Sequence, residues 1–208
     1  MDEKSKLVIF DFDGVILDSM HVRELGFKSI FAHFDSGLVE LLLHYHNANG
    51  GLSRYEKIKY FYNEILNKDI SEDRIKEYAD EFSLIMRESL TDRKYLIFDT
   101  LNFIANNFQN YNFHIVSGSD ELELKFLCRE LGIDRYFDSI HGSPTHKNIL
   151  VESLMLNNKY TKCDTILIGD SINDYEAARV NGIMFYGFNN QDLIGVCDNY
   201  LESFLDCC

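Results

Sequence analysis

Lys6-Leu7-Val8-Ile9-Phe10-Asp11-Phe12-Asp13-Gly14-Val15 sets an apolar run directly against two aspartates and a glycine. The run is short, does not alternate with polar residues and stops at a turn signal, which reads as a strand buried on both faces in a parallel sheet. Comparable runs recur at 113–116, 165–168 and 184–187. Between them helical patterns cover 121–131, 145–156 and 172–181, with Gly132 and Gly182 where helix ends favour a left-handed residue. Strand and helix in alternation predict an α/β fold, a doubly wound parallel sheet.

From 18 to 94 the alternation stops. Leu, Phe, Tyr, Glu and Lys recur there at helical spacing without a convincing strand, so the expected organisation is a core domain of 1–17 and 95–208 with a helical domain, 18–94, inserted. Within the insertion, Ser53-Arg54-Tyr55-Glu56 follows Gly50-Gly51-Leu52 and fits a capping box opening a helix that runs to 66. A second helix is expected from 71 towards 90.

Composition narrows the function classes. The 208 residues are 46% hydrophobic and 13% aromatic, ordinary for a folded globular chain. Thirty-four acidic against 20 basic residues give a net charge of -14, which opposes the counterion release that nucleic-acid binding exploits. Nucleic acid is therefore not an expected partner, and an anionic substrate would need local cations. No apolar run reaches the roughly 20 residues that span a bilayer, and the start carries no export pattern, so no membrane association and a cytoplasmic setting are expected. The five cysteines are odd in number and lack a Cys-x-x-Cys pair, which predicts reduced, mostly buried thiols rather than disulfides or zinc. The Cys207-Cys208 pair has no upstream basic residues to support a lipidated tail.

Open parallel sheets bind ligands beyond the carboxyl ends of their strands. The residues expected there are Asp11 and Asp13, then Ser117, then Asp170 and Asp174, with Lys147 arriving on a helix behind Ser143-Pro144-Thr145-His146. Carboxylates gathered that closely raise one another's pKa unless a divalent cation lies among them. Oxygen-only ligands select Mg2+, which keeps positions for water and phosphate. Lys147 adds a positive charge near the nucleophile, and Ser117 can donate to a phosphoryl oxygen.

Asp11-Phe12-Asp13-Gly14-Val15, Val116-Ser117, Lys147 and Gly169-Asp170-Ser171-Ile172-Asn173-Asp174 resemble, in order and spacing, the four motifs of the haloacid dehalogenase superfamily. The insertion resembles the helical cap of its beta-phosphoglucomutase and phosphoglycolate phosphatase branch. The resemblance implies that Asp11 attacks phosphorus to form an aspartyl-phosphate, and that Asp13 first protonates the leaving oxygen and then deprotonates water. It implies Mg2+ held by Asp11, the Asp13 carbonyl and Asp170, with Asp174 a ligand or just behind one. Ser117, Gly118 and Lys147 would contact the phosphoryl group, and Arg54 the rest of a small phosphorylated metabolite. Dehalogenases lack the second aspartate, so Asp13 favours phosphate chemistry.

Competing readings remain at this stage. A phosphomutase would use the same phospho-aspartate, although its pattern has Glu-Asp where this chain has Gly169-Asp170. A receiver-like signalling domain shares the acidic pocket, but its acceptor Asp follows a middle strand of the sequence. A binding protein without catalysis is opposed by the complete set of motif residues. Arg54 could instead be a solvated helix-start residue, His21 and Arg23 are assigned to the surface, and His114 and His146 to structural or exposed positions. The aromatic residues between Tyr55 and Tyr62 are read as core of the insertion.

Overall fold

The computed structural model describes residues 6–206. Its sheet has six parallel strands: β1 (Leu7–Phe10), β2 (Asn112–Asp120), β3 (Ser139–Ser143), β4 (Thr165–Gly169), β5 (Met184–Phe188) and β6 (Tyr200–Leu201). They lie in the order β3-β2-β1-β4-β5-β6. The chain leaves β1 in one direction and returns to it from the other, so the order reverses between β1 and β4, where a crevice opens at the strand ends.

Successive side chains of β1 point to opposite faces. Val8 and Phe10 join one apolar cluster, with Phe113, Ile115, Ile104, Leu124 and Leu127. Leu7 and Ile9 join another, with Val116, Leu167, Val151, Leu154, Ala177 and Ala178. The first face is covered by α5 (Phe98–Asn107) and α6 (Glu121–Glu130), the second by α7 (Lys147–Asn158) and α8 (Ile172–Asn181). Burial on both faces explains why the central strands have no polar alternation.

Between β1 and α5 the described residues form helices and no strand: α1 (Met20–Ile30), α2 (Ser36–Ala48), α3 (Arg54–Tyr60) and α4 (Glu72–Ser89). Ser53 caps α3 with the expected box, its hydroxyl accepting from Glu56 N while Glu56 accepts from Ser53 N. A π-helical turn, Phe61–Ile65, carries that helix to the expected end. Phe61 is buried, while Tyr60 stacks on Tyr45 at a centroid distance of 3.6 Å.

Several sequence expectations are corrected. β3 and α5 were not anticipated: β3 is a sheet-edge segment, Ser-Ile-His-Gly-Ser, with a single bulky apolar residue, and α5 starts without a side-chain cap. The 145–156 helix begins at Lys147, with His146 as N-cap. Of the described thiols only Cys128 is buried; Cys197 is half-buried and Cys163 exposed. The Cys207-Cys208 pair lies outside the described residues.

Candidate active site

β1 and β4 pair in register, Phe10 opposite Ile168, and Asp11 N donates to Ile168 O at 2.9 Å. Asp11 and Asp170 are thereby carried side by side into the crevice. The turn after Asp11 needs Gly14, whose φ of +75° is left-handed and whose missing Cβ leaves the space filled by the Asp170 carboxylate. Ser171 opens α8 with a second capping box in which Asp174 is the reciprocating acid. Asp174 Oδ2 accepts from Ser171 N at 3.0 Å, and Oδ1 accepts from Lys147.

Lys147, the first residue of α7, is buried and reaches back to Asp11, with Nζ 2.8 Å from Oδ1. Carboxylate oxygens of Asp11, Asp170 and Asp174 all lie within 4.8 Å of one another. Three carboxylates, Asp11 and Asp174 buried and Asp170 half-buried, against one ammonium leave excess negative charge. Burial, with repulsion from Asp174 and Asp13, pushes the Asp11 pKa up to about 7 despite Lys147. Burial and Asp11 likewise hold Asp170 well above the usual carboxylate range. Lys147 is held above its ordinary value, because its two carboxylate partners outweigh the effect of burial. The donor set is all oxygen, and opposed ligands of one magnesium ion stand roughly 4 Å apart. The residues therefore fit a divalent oxygen-seeking cation, with Asp11 and Asp170 best placed to hold it and Asp174 committed to Lys147 and the α8 cap.

Asp13 is buried beside this cluster in a dense set of donors. Arg23 Nε and Ser119 Oγ each donate to it at 2.6 Å, and Ser19 Oγ also donates. Burial would raise its pKa, but the Arg23 charge and the two hydroxyls outweigh it and hold the carboxyl below the ordinary value. Ser117 is buried within β2, which continues to Asp120 through a register irregularity after Val116, rather than following a strand that ends there. Gly118 faces the insertion: a Cβ there would overlap the Gly51 carbonyl, so the glycine loop before α3 rests directly on strand β2.

Arg23 and Arg54 depart from the surface readings. Arg23 is 5% exposed and Arg54 4%. Arg23 Nη1 lies 3.2 Å from Glu123 Oε1, and Arg54 Nη1 lies 2.6 Å from Glu123 Oε2 while donating to Ser83 Oγ. Arg54 also covers the Phe82 ring, 4.6 Å from its centroid. His21 is exposed as expected, and His114 is buried with Ser139 and Tyr160 as partners. Glu123, Lys57 and His46 were not singled out by sequence. Glu123 lies on the buried stripe of α6 with Leu124, Leu127 and Cys128, and Lys57 on that of α3 with Arg54 and Ile58, so a charge on an apolar stripe was the available signal.

A profile of the family described as haloacid dehalogenase-like hydrolase matches residues 8–188. No curated protein matches the chain. Among solved structures it is similar to a protein described as a predicted phosphoglycolate phosphatase from Haemophilus somnus, 19% identical with a TM-score of 0.72, covering 100% of this chain and 98% of that one. It is also similar to beta-phosphoglucomutase from Clostridium difficile, 18% identical with a TM-score of 0.75, covering 98% and 93%. A third likeness is CbbY from Rhodobacter sphaeroides in complex with xylulose-1,5-bisphosphate, 16% identical with a TM-score of 0.77, covering 96% and 94%.

Proposed function

The chain belongs to the haloacid dehalogenase-like hydrolases, and from that premise we propose that it is a magnesium-dependent phosphatase acting on a small phosphorylated metabolite, with Asp11 as nucleophile and residues 18–94 as its cap. One observation carries the reading: Lys147 Nζ stands 2.8 Å from Asp11 in a carboxylate cluster whose oxygens could share one ion. When bound, the ion neutralises the carboxylates and phosphoryl oxygens and keeps Asp11 ionised. Lys147 would orient the Asp11 oxygen and offer charge to the phosphoryl group, which Ser117 and Gly118 would help to hold. Attack by an Asp11 oxygen on phosphorus forms the acyl phosphate and expels the substrate's alcohol oxygen; water, losing a proton to Asp13, then attacks phosphorus, so that phosphate leaves and the Asp11 carboxylate is regenerated. Asp13, held as a carboxylate by Arg23, Ser19 and Ser119, suits the proton-accepting half of its role; the donating half requires a proton that Arg23 opposes.

The similarity to a phosphomutase keeps a second reading open, return of the phosphoryl group to a sugar. Phosphate release from a panel of phosphorylated metabolites distinguishes them. Hydrolysis is expected with magnesium, stops in EDTA and returns on adding the metal; isomer formation without free phosphate would establish the mutase instead.

A further inference from the structure

β5 lies beside β4, and β4 beside β1, so the residues that follow β5 reach the same end of the sheet as Asp11 and Asp170. These residues are Asn189 and Asn190. Asn189 Nδ2 donates to Gly14 O at 2.9 Å, tying down the turn that follows Asp11 and Asp13. Asn190 Nδ2 donates to Asp170 O at 2.7 Å, tying down the loop that carries the Asp170 carboxylate. Consecutive side chains of a strand point to opposite faces. The left-handed φ of +54° at Asn189 ends that alternation, in a conformation that asparagine tolerates better than most residues. Asn190 Oδ1 accepts from Asp192 N at 3.1 Å and so caps the turn Gln191–Leu193. That bond fixes the orientation of the amide and leaves its donor end for Asp170 O.

Asp11 and Asp170 come from different strands, and carboxylates this close repel each other. The paired register of β1 and β4 ends at Phe10 and Ile168, so both carboxylates stand beyond it. Groups that orient a metal's ligands without touching the ion set its affinity, and losing one weakens binding. A neutral amide suits that task because it adds no charge to compete with the cation. We propose that Asn189 and Asn190 are positioning residues. Together they form a clamp after β5 that holds the turn of β1 and the loop of β4 where Asp11 and Asp170 can share one divalent ion. The clamp rests on the magnesium part of the proposed function. Asn190 is half-buried and Asn189 exposed, so water replaces the Asn189 bond more readily and Asn190 carries the larger share.

The test is calorimetric titration of magnesium into the whole chain, beside the thermal unfolding midpoint measured without metal. Asn189→Gly removes the amide at a left-handed position that glycine adopts freely. Asn190→Ser keeps a cap for the following turn but is too short to reach Asp170 O. The double variant should bind magnesium at least about 10-fold more weakly, most of it from Asn190→Ser, while the metal-free midpoint stays near the native value. Excess magnesium should restore kcat, as expected of residues that place ligands and do not react. Asn199→Ala loses a bond of the same kind elsewhere on β5, from Asn199 Nδ2 to Phe185 O at 3.3 Å, and should bind magnesium like the native chain. Native affinity in the double variant would overturn the clamp, as would an equal loss in Asn199→Ala or a kcat that no magnesium restores. A metal-free midpoint lowered together with the affinity would make the pair supports of the fold and overturn the positioning role. A native chain that binds no magnesium would sink the magnesium reading and the clamp with it, whereas native binding retained in the variants sinks the clamp alone.

Discussion

Asp11 and His46 occupy one buried neighbourhood, yet burial does opposite things to them. It drives Asp11 towards its protonated, neutral form and His46 towards its deprotonated, neutral form. Asp11→Asn keeps the shape and removes the oxygen proposed as nucleophile, so turnover should fall by three orders of magnitude or more, with an unchanged circular dichroism spectrum. His46 binds its proton more weakly folded than unfolded, so its contribution is present above the ordinary histidine pKa and is lost as pH falls from about 6.5 towards about 2. Each pH unit in that window removes about 1.4 kcal/mol. His46→Gln should flatten this part of the acid limb in chemical denaturation measured against pH; an unaltered limb would place the acid sensitivity elsewhere.

The contact between the loop before α3 and strand β2 is built on absent side chains. Gly118 has no room for a Cβ because the Gly51 carbonyl occupies it. The same α3 presents Arg54 to Glu123 of α6 and Tyr55 to Asp120, at 2.9 Å, so one short helix reads the start of α6 through two side chains. Gly118→Val should hold the loop off the site. The expected outcome is a loss of up to about 100-fold in kcat/KM, since misplacing reacting groups by an ångström has that effect. The midpoint of thermal unfolding should change far less, because β2 itself is not broken.

Taken as a whole, the molecule stores negative charge at the sheet crevice and positive charge under the helices above it, and a single apolar cluster runs from Phe10 and Phe113 of the sheet to Phe27, Phe61 and Phe82 of the insertion. The crevice should therefore be the place where a divalent ion adds most to stability. Magnesium at 100 times its dissociation constant adds about 2.7 kcal/mol, which for a chain of this size raises the unfolding midpoint by roughly 5 to 10 °C. Asp170→Asn should abolish that shift, a result readable without any activity assay. An equal shift in the variant would move the ion away from Asp170.

The core strands and the chain order of the acidic motifs were legible in the sequence, because strands buried on both faces must be continuously apolar and strand ends beside turn signals must carry the chemistry. The capping box of α3 was legible for a local reason, a serine three residues before an acid. Tertiary structure alone decided that β1 adjoins β4, which sets Asp11 beside Asp170, and that Arg23 and Arg54 turn inward to Glu123. A helix-start arginine has no local reason to leave water. It does so here because a carboxylate from an element 69 residues further on, at position 123 against 54, meets it inside the fold, and charge pairing across such a separation is written in no single segment.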